Sequence, residues 1–227
     1  IVENPSYMWM RVAIGIWCDE CVNDIDEDID EDKLNNKEVF EKVKESYLGY
    51  INNLFSQATP CIFNSGTIHP QLASCFLIET ESDSIEGIFN TVKDCAMISK
   101  YSGGIGFNIS SIRGNNSYIA GTNGRSHGIV PMLGVFNKTL LYVDQAGKRN
   151  GSAAVYIPPW HPDILEFLDL RLPTGDENAR CRDLFTAMWI DDVFMERVEN
   201  DKVYSLMNEH DCPGLSDSYG DDFKKLY

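Results

Sequence analysis

From residue 73 onward the sequence alternates short runs of strand character with longer segments of helical spacing. That alternation restricts the possible folds more than any other feature. Ala73–Glu79 is brief and mostly apolar, as a buried strand is. Asp83 and Ser84 then supply capping side chains for a helix over about 85–100, with Ile85, Ile88, Phe89, Val92, Ala96 and Ile98 or Ser99 expected on its inner side. Ser102-Gly-Gly-Ile-Gly106 ends that helix, Phe107–Ile112 reads as a second strand, and a further helix is expected over about 131–143. Ala153–Ile157 reads as a strand broken by Pro158-Pro-Trp-His-Pro162, and a helix follows from Asp163 to about Leu170. Residues 183–199 mix both signals, around Thr186–Ile190 and Val193–Val198. Strands separated by helices cross over and pair in parallel, so the expected class is α/β with a parallel sheet.

The first 60 residues read differently. Residues 4–17 are mostly apolar behind Asn4-Pro5-Ser6 and suit a buried helix. A second helix is expected from Asn36 to about Gln57, where Phe40, Val43, Tyr47, Ile51, Leu54 and Phe55 recur at three- and four-residue spacing and so share one face. Between the two lies an acidic run at about 19–35 with no apolar stripe, which reads as a solvated surface insertion. It contributes to a balance of 35 Asp+Glu against 19 Lys+Arg, a net charge of −16. A surface of that sign does not coat nucleic acid, whose phosphates need cations, although a local basic pocket for a small phosphorylated ligand survives the argument. Apolar runs such as Cys75–Ile78 fall far short of the roughly 20 residues that span a bilayer. Ile1–Ser6 lack the basic-then-apolar order of a signal peptide, so the expectation is a soluble cytoplasmic protein.

Two segments read as long loops, Gly114–Gly128 and Asp144–Ser152, and they carry or adjoin Arg113, Arg125, Lys148 and Arg149. Glycines bring backbone N–H groups close to an anion and the cations supply counter-charge. Composition alone leaves two readings open, phosphate binding and ordinary surface loops. Standard nucleotide motifs are absent: there is no Gly-x-x-x-x-Gly-Lys-Ser/Thr, and Gly104-Ile-Gly106 lacks a third glycine. The four histidines show no zinc spacing. Seven cysteines at irregular spacing do not form a secreted disulfide framework. Cys18-Asp-Glu-Cys21 abuts the acidic run, whose carboxylates raise thiol pKa values, and reads as incidental rather than redox-active. Cys75 begins a strand, where its thiol is either a rigidly held reactive group or a buried structural one.

A series of ordered motifs adds to this reading. Asn4-Pro-Ser-Tyr-Met8, Thr59-Pro60 with Phe63-Asn-Ser-Gly-Thr67, and Pro70-Gln-Leu-Ala-Ser-Cys-Phe-Leu77 come first. Asp83-Ser-Ile-Glu-Gly87, Ile98-Ser-Lys-Tyr-Ser-Gly-Gly-Ile-Gly106 and Ser117-Tyr-Ile-Ala-Gly-Thr-Asn-Gly124 follow. Val130-Pro-Met-Leu133, Tyr142-Val-Asp-Gln145, Pro159-Trp160-His161, Asp183-Leu-Phe185 and Cys212-Pro-Gly-Leu215 complete the set. In this order they resemble the large, catalytic subunit of class I ribonucleotide reductase, over nearly the whole chain apart from the acidic insertion. The resemblance implies that residues 1–227 form part of a ten-stranded α/β barrel. It further implies radical-based reduction of ribonucleoside diphosphates, with substrate choice controlled by deoxynucleoside triphosphates or ATP.

Residue by residue, Cys75 matches the first member of the reducing cysteine pair. Its partner cysteine, the radical-bearing cysteine and the tail pair lie downstream in the family, so this chain alone is expected to be inactive. Thr59, Ser74, Gly103 and Gly104 match substrate-contacting positions, while Cys61 stands where many relatives have Thr and receives no role. Asp83, Ser84 and Ile85 match the site for the effector's sugar and base, Arg113 a cation for its phosphates, and Lys100 a second candidate nearby. The segment 114–128 corresponds to a first specificity loop and 144–151 to a second, in which Asp144, Gln145, Lys148 and Arg149 would carry effector identity to the substrate. The implied partners are a second large subunit, a small subunit holding the dimetal radical cofactor, and thioredoxin or glutaredoxin; no metal or other cofactor is expected on this chain. A non-catalytic regulatory homologue that kept the fold is the alternative.

Overall fold

The computed structural model describes residues 3–18, 37–143 and 151–227. The acidic run at 19–35, Cys21 and residues 144–150 of the second expected loop, with Asp144, Gln145, Lys148 and Arg149 among them, lie outside the described residues. The chain divides into two compact units, one comprising Ile1–Ser74 with Tyr101–Gly103, the other Cys75–Lys100 with Gly104–Tyr227. The expectation of one barrel piece over 1–227 does not separate them, because the helical signals before residue 60 fit either arrangement.

The first unit is helical, with α1 (Pro5–Trp17), α2 (Lys37–Ile51) and α3 (Thr59–Asn64). Asn4 caps α1 by accepting from the Ser6 N–H at 2.9 Å, and Pro5 sits at the first turn, where its missing N–H costs nothing. Val12, Ala13 and Tyr50 form the core, with Trp9, Ile16, Val43 and Tyr47 packed against it. Trp9 and Tyr50 stack with ring centroids 4.7 Å apart. Helix α2 stops six residues before the expected Gln57. Asn53 takes a left-handed conformation (φ 56°), the Leu54 N–H reaches back to the Gly49 carbonyl and the Asn53 N–H to that of Tyr50. That paired closure is a helix stop. The chain then folds back so that the Phe55 ring meets Tyr50 edge-on, leaving Phe40, Ile51 and Leu54 exposed rather than on a shared inner face.

The second unit is built on a parallel four-stranded sheet in the order β1 (Cys75–Glu79), β2 (Gly104–Asn108), β5 (Ala153–Ile157), β6 (Phe185–Met188). This is the parallel α/β arrangement expected from the alternation. Helix α4 (Ile85–Lys100) crosses from β1 to β2, and α5 (Ile129–Tyr142) precedes β5. Their inner sides meet one sheet face, where Phe107 stacks on Phe136 at 4.6 Å and Leu133, Leu140, Val155 and Ile157 are fully buried. The shorter helices α6 (Ile164–Leu168), α7 (Asp192–Glu199) and α8 (Gly220–Leu226) follow. A smaller cluster of Trp160, Val193, Leu215 and Phe223 ties the last two down. The opposite sheet face is open: Cys75, Leu77 and Glu79 alternate outward along β1.

Two expectations change here. The segment 114–128, read as a loop, is a β-hairpin of β3 (Asn115–Ile119) and β4 (Gly124–His127), paired antiparallel with a bulge. Its strands are largely polar and too short to show apolar alternation. The inner side of α4 is also rotated from the one expected. Thr91, Val92, Cys95 and Ser99 are buried, while Ile85 is 75% and Phe89 53% exposed.

Candidate functional site

The outward turn of Ile85 and Phe89 has a local reason, since both line a cleft of about 430 Å³ at the start of α4. Ser84 caps this helix. Its carbonyl accepts the first helical N–H, from Ile88, and its Oγ accepts the Gly87 N–H at 3.0 Å. Asp83, immediately before it, accepts a hydrogen bond from Arg113 Nε at 2.6 Å, and Arg113 Nη1 donates to the Tyr118 carbonyl at 2.9 Å. Both charged side chains are about one-fifth exposed, so their attraction is less screened than that of a surface pair. Arg125 also lines the cleft, and its Nη1 donates to the Asn116 carbonyl at 2.9 Å. One end of the cleft therefore offers a carboxylate acceptor, a hydroxyl and two guanidinium groups. The remaining walls are mostly apolar, including Phe89, Met132 and Val135, with Ser126 and His127 also on the lining. Such a surface suits a ligand with an anionic end and a flat or apolar body.

The hairpin that forms one wall is held at both feet by a single buried carboxylate. Asp163 accepts from the Asn115 N–H at 2.8 and 3.1 Å and from the Ile129 N–H at 3.0 Å. It is only 4% exposed. The two feet are glycines because Asp163 and Pro162 press against the backbone there. A Cβ on Gly114 would lie 2.3 Å from Pro162, and one on Gly128 (φ 75°) 2.4 Å from Asp163 Oδ2. Asn208 adds a second tie, accepting from the Gly114 N–H at 3.1 Å and donating to Ser117 Oγ. Behind Asp163 lies His161, fully buried. Its Nδ1 accepts the Asp163 N–H, so its Nε2 carries the proton and donates to the Ile112 carbonyl at 2.8 Å. Burial is the largest influence on this ring and holds its pKa below the ordinary 6.5, against the opposing pull of that carbonyl and of Asp163.

The residues singled out from the sequence fall into four groups. Asp83, Ser84, Ile85 and Arg113 come together around the cleft. Lys100 does not: it ends α4, roughly 22 Å along the helix from Ile85. Cys75 and Gly104 open β1 and β2 and stand opposite each other in register. Thr59, at the start of α3, and Ser74 and Gly103 belong to the helical unit. Cys61, given no role, has its thiol directed at the Leu72 carbonyl at 3.1 Å, and burial raises its pKa. Cys95 and Cys181 are fully buried, with pKa values pushed up to about 12 and about 11, which makes them inert as thiolates. Cys75 is exposed.

The hairpin and the clamp made by Asp163 and Asn208 were not anticipated from the sequence, and Arg125, one of the loop cations noted there, lines the same cleft as Arg113. The hairpin had one usable signal, the Asn123-Gly124 pair, with Asn123 left-handed at φ 56° beside the turn. The clamp had none, because Asp163 lies 48 and 34 residues, and Asn208 94 residues, from the backbone groups they hold.

Comparison with known proteins bears on this arrangement. The ribonucleotide reductase barrel domain matches residues 73–227 and the ribonucleotide reductase all-alpha domain residues 1–70. The chain belongs to the ribonucleotide reductase family. The two matched domains correspond closely to the helical unit and the sheet unit, so the first 70 residues are not barrel. The ribonucleoside-diphosphate reductase large chain of Neurospora crassa is 53% identical over the whole of this chain, which covers 22% of that protein. The large subunit from a Plasmodium falciparum isolate is also 53% identical over the whole chain, covering 26% of its length, and that of vaccinia virus is 50% identical, covering 27%. The chain thus spans about a quarter of the length of these ribonucleotide reductase relatives. Among the described residues no group of three or more His, Cys, Asp and Glu side chains is arranged to hold a metal ion, and no helix is long and apolar enough to cross a membrane.

Proposed function

We propose that this chain is the part of a class I ribonucleoside-diphosphate reductase large subunit that carries the first reducing cysteine and the effector-specificity site. The observation that carries the reading is the convergence of Asp83, Ser84, Ile85 and Arg113, from two separate stretches of sequence, on one cleft. Asp83 can accept a hydrogen bond from a deoxyribose 3′-hydroxyl, Arg113 can meet the phosphates, and Ile85 and Phe89 can flank the base. The hairpin β3–β4 is then the first specificity loop. Asp144, Gln145, Lys148 and Arg149 belong to the second, through which the effector selects the substrate base. That transfer requires an element with two arrangements biased by both ligands.

In the reaction, the substrate 2′-hydroxyl leaves as water, C2′ gains a hydrogen, and two thiols become one disulfide. Cys75 supplies one of those thiols, from the open face of the sheet where substrate can reach it. Thr59, Ser74, Gly103 and Gly104 contact the substrate. A second copy, a metal-bearing small subunit and thioredoxin or glutaredoxin complete the system, in the cytoplasm. The test uses the full-length polypeptide with its small subunit, assayed for ribonucleoside-diphosphate reduction. Cys75→Ser is expected to abolish multiple turnover while leaving deoxynucleoside triphosphate binding intact. Sustained turnover by that variant would remove the reducing role from Cys75.

A further inference from the structure

The two guanidinium groups at the polar end of the cleft are in different electrostatic states. Arg113 is paired with Asp83 at 2.6 Å, so much of its charge is already balanced. Arg125 donates to the Asn116 carbonyl, and no carboxylate of the described residues lies within 4.0 Å of its guanidinium. A guanidinium does not deprotonate, so its charge and most of its N–H donors stay available to a ligand. The two arginines are also close. Arg125 stands opposite Tyr118 in the hairpin register, and Tyr118 provides the carbonyl on which Arg113 is docked. Their docking residues, Asn116 and Tyr118, are two positions apart on β3, at most about 7 Å along extended chain. An anion placed between the two guanidinium groups would be attracted by both. The strand carrying Arg125 is not loosely held, since both feet of the hairpin hang on Asp163, so the cation is positioned before any ligand arrives.

We infer that Arg125 is a second phosphate-binding cation of this cleft, taking the outer phosphates of a nucleoside di- or triphosphate whose inner phosphate meets Arg113. The inference rests on the nucleotide reading of the cleft proposed above. It makes Arg125 a determinant of phosphate-chain length: ligands with one phosphate reach Arg113 alone, and longer ones bridge both.

The test measures equilibrium binding of dTTP and dTMP to the full-length polypeptide and its variants. Arg125 is exposed and its loss leaves no cavity, so Arg125→Gln is expected to fold normally. It should weaken dTTP by about tenfold or more, the loss of a charge-assisted hydrogen bond, and leave dTMP within about twofold of the parent. Arg125→Lys should recover part of the dTTP affinity. Unchanged dTTP binding in Arg125→Gln, or equal weakening of dTTP and dTMP, overturns the inference. Asp83→Ala separates the two levels. If it weakens both nucleotides while Arg125→Gln weakens neither, only the role of Arg125 falls. If Asp83→Ala changes neither, the cleft is not the nucleotide site and both readings fall.

Discussion

The clamp at Asp163 yields the most direct quantitative prediction. Asp163→Asn is nearly isosteric, so it leaves no cavity and isolates the hydrogen bonding. The carboxylate receives the Asn115 N–H on both oxygens and the Ile129 N–H on Oδ2. The amide of Asn has one oxygen, so whichever way it turns, an NH₂ group faces a backbone N–H. With its oxygen in the Oδ2 position the amide keeps only neutral acceptance of both N–H groups and turns its NH₂ onto the Asn115 N–H. With the oxygen in the Oδ1 position the Ile129 N–H, at a fully buried residue, has neither an acceptor nor a route to water. A hydrogen bond to a charged group contributes about 1.5–3 kcal/mol, so the hairpin should open more easily by about 2–3 kcal/mol. That corresponds to roughly 30- to 150-fold faster hydrogen exchange of amides released by the opening. Mass-spectrometric exchange on the full-length polypeptide, read over peptides spanning 113–129, measures it, with peptides from α1 and β6 as unaffected controls. Unchanged protection over 113–129 would refute the clamp. Uniform loss everywhere would mean that Asp163 supports the whole sheet unit rather than the hairpin.

Two further predictions address other levels of the structure. His161 is buried neutral, so below about 6.5 the unfolded chain takes up a proton that the folded chain resists. Its contribution to stability is complete above that value and is lost as pH falls through it, at no more than about 1.4 kcal/mol per unit. Unfolding midpoints between about pH 7.5 and 5.5 should show this slope, and His161→Gln should flatten it; an unchanged slope would place the titration elsewhere. In the helical unit, a Cβ on Gly15 would lie 2.3 Å from both the Gly66 nitrogen and Ser65 Oγ, and would disturb the Ser65 hydroxyl's bond to the Val12 carbonyl. Overpacking of about 1–3 kcal/mol should outweigh the roughly 1 kcal/mol that alanine gains in helix propensity. Gly15→Ala should therefore increase proteolytic cleavage within residues 3–74, and equal or greater resistance would show that α3 shifts aside without cost.

What could be read from the sequence was local. Asn4-Pro5 placed the start of α1, and Asp83-Ser84 the start of α4. The apolar run at 153–157 placed β5. In each case the deciding forces act within a few residues: a side-chain oxygen reaching the next turn's N–H, a fixed proline φ, or a period of burial. The parallel sheet followed because crossover helices leave little alternative. Motif order carried the family and brought Asp83, Ser84, Ile85 and Arg113 into view before any coordinates. Tertiary structure decided the rest. Phe89 and Ile85 are apolar and fit a core period, yet they wall a cleft, because the sheet contacts select the side of α4 bearing Thr91, Val92, Cys95 and Ser99. Lys100, close to the site in sequence, ends up a helix length away. The glycine-rich stretch 114–128 becomes a hairpin because Asp163 and Asn208, distant along the chain, satisfy its backbone from behind. A polar strand has no apolar pattern to announce it, and an acceptor dozens of residues away becomes its neighbour only when the chain has folded.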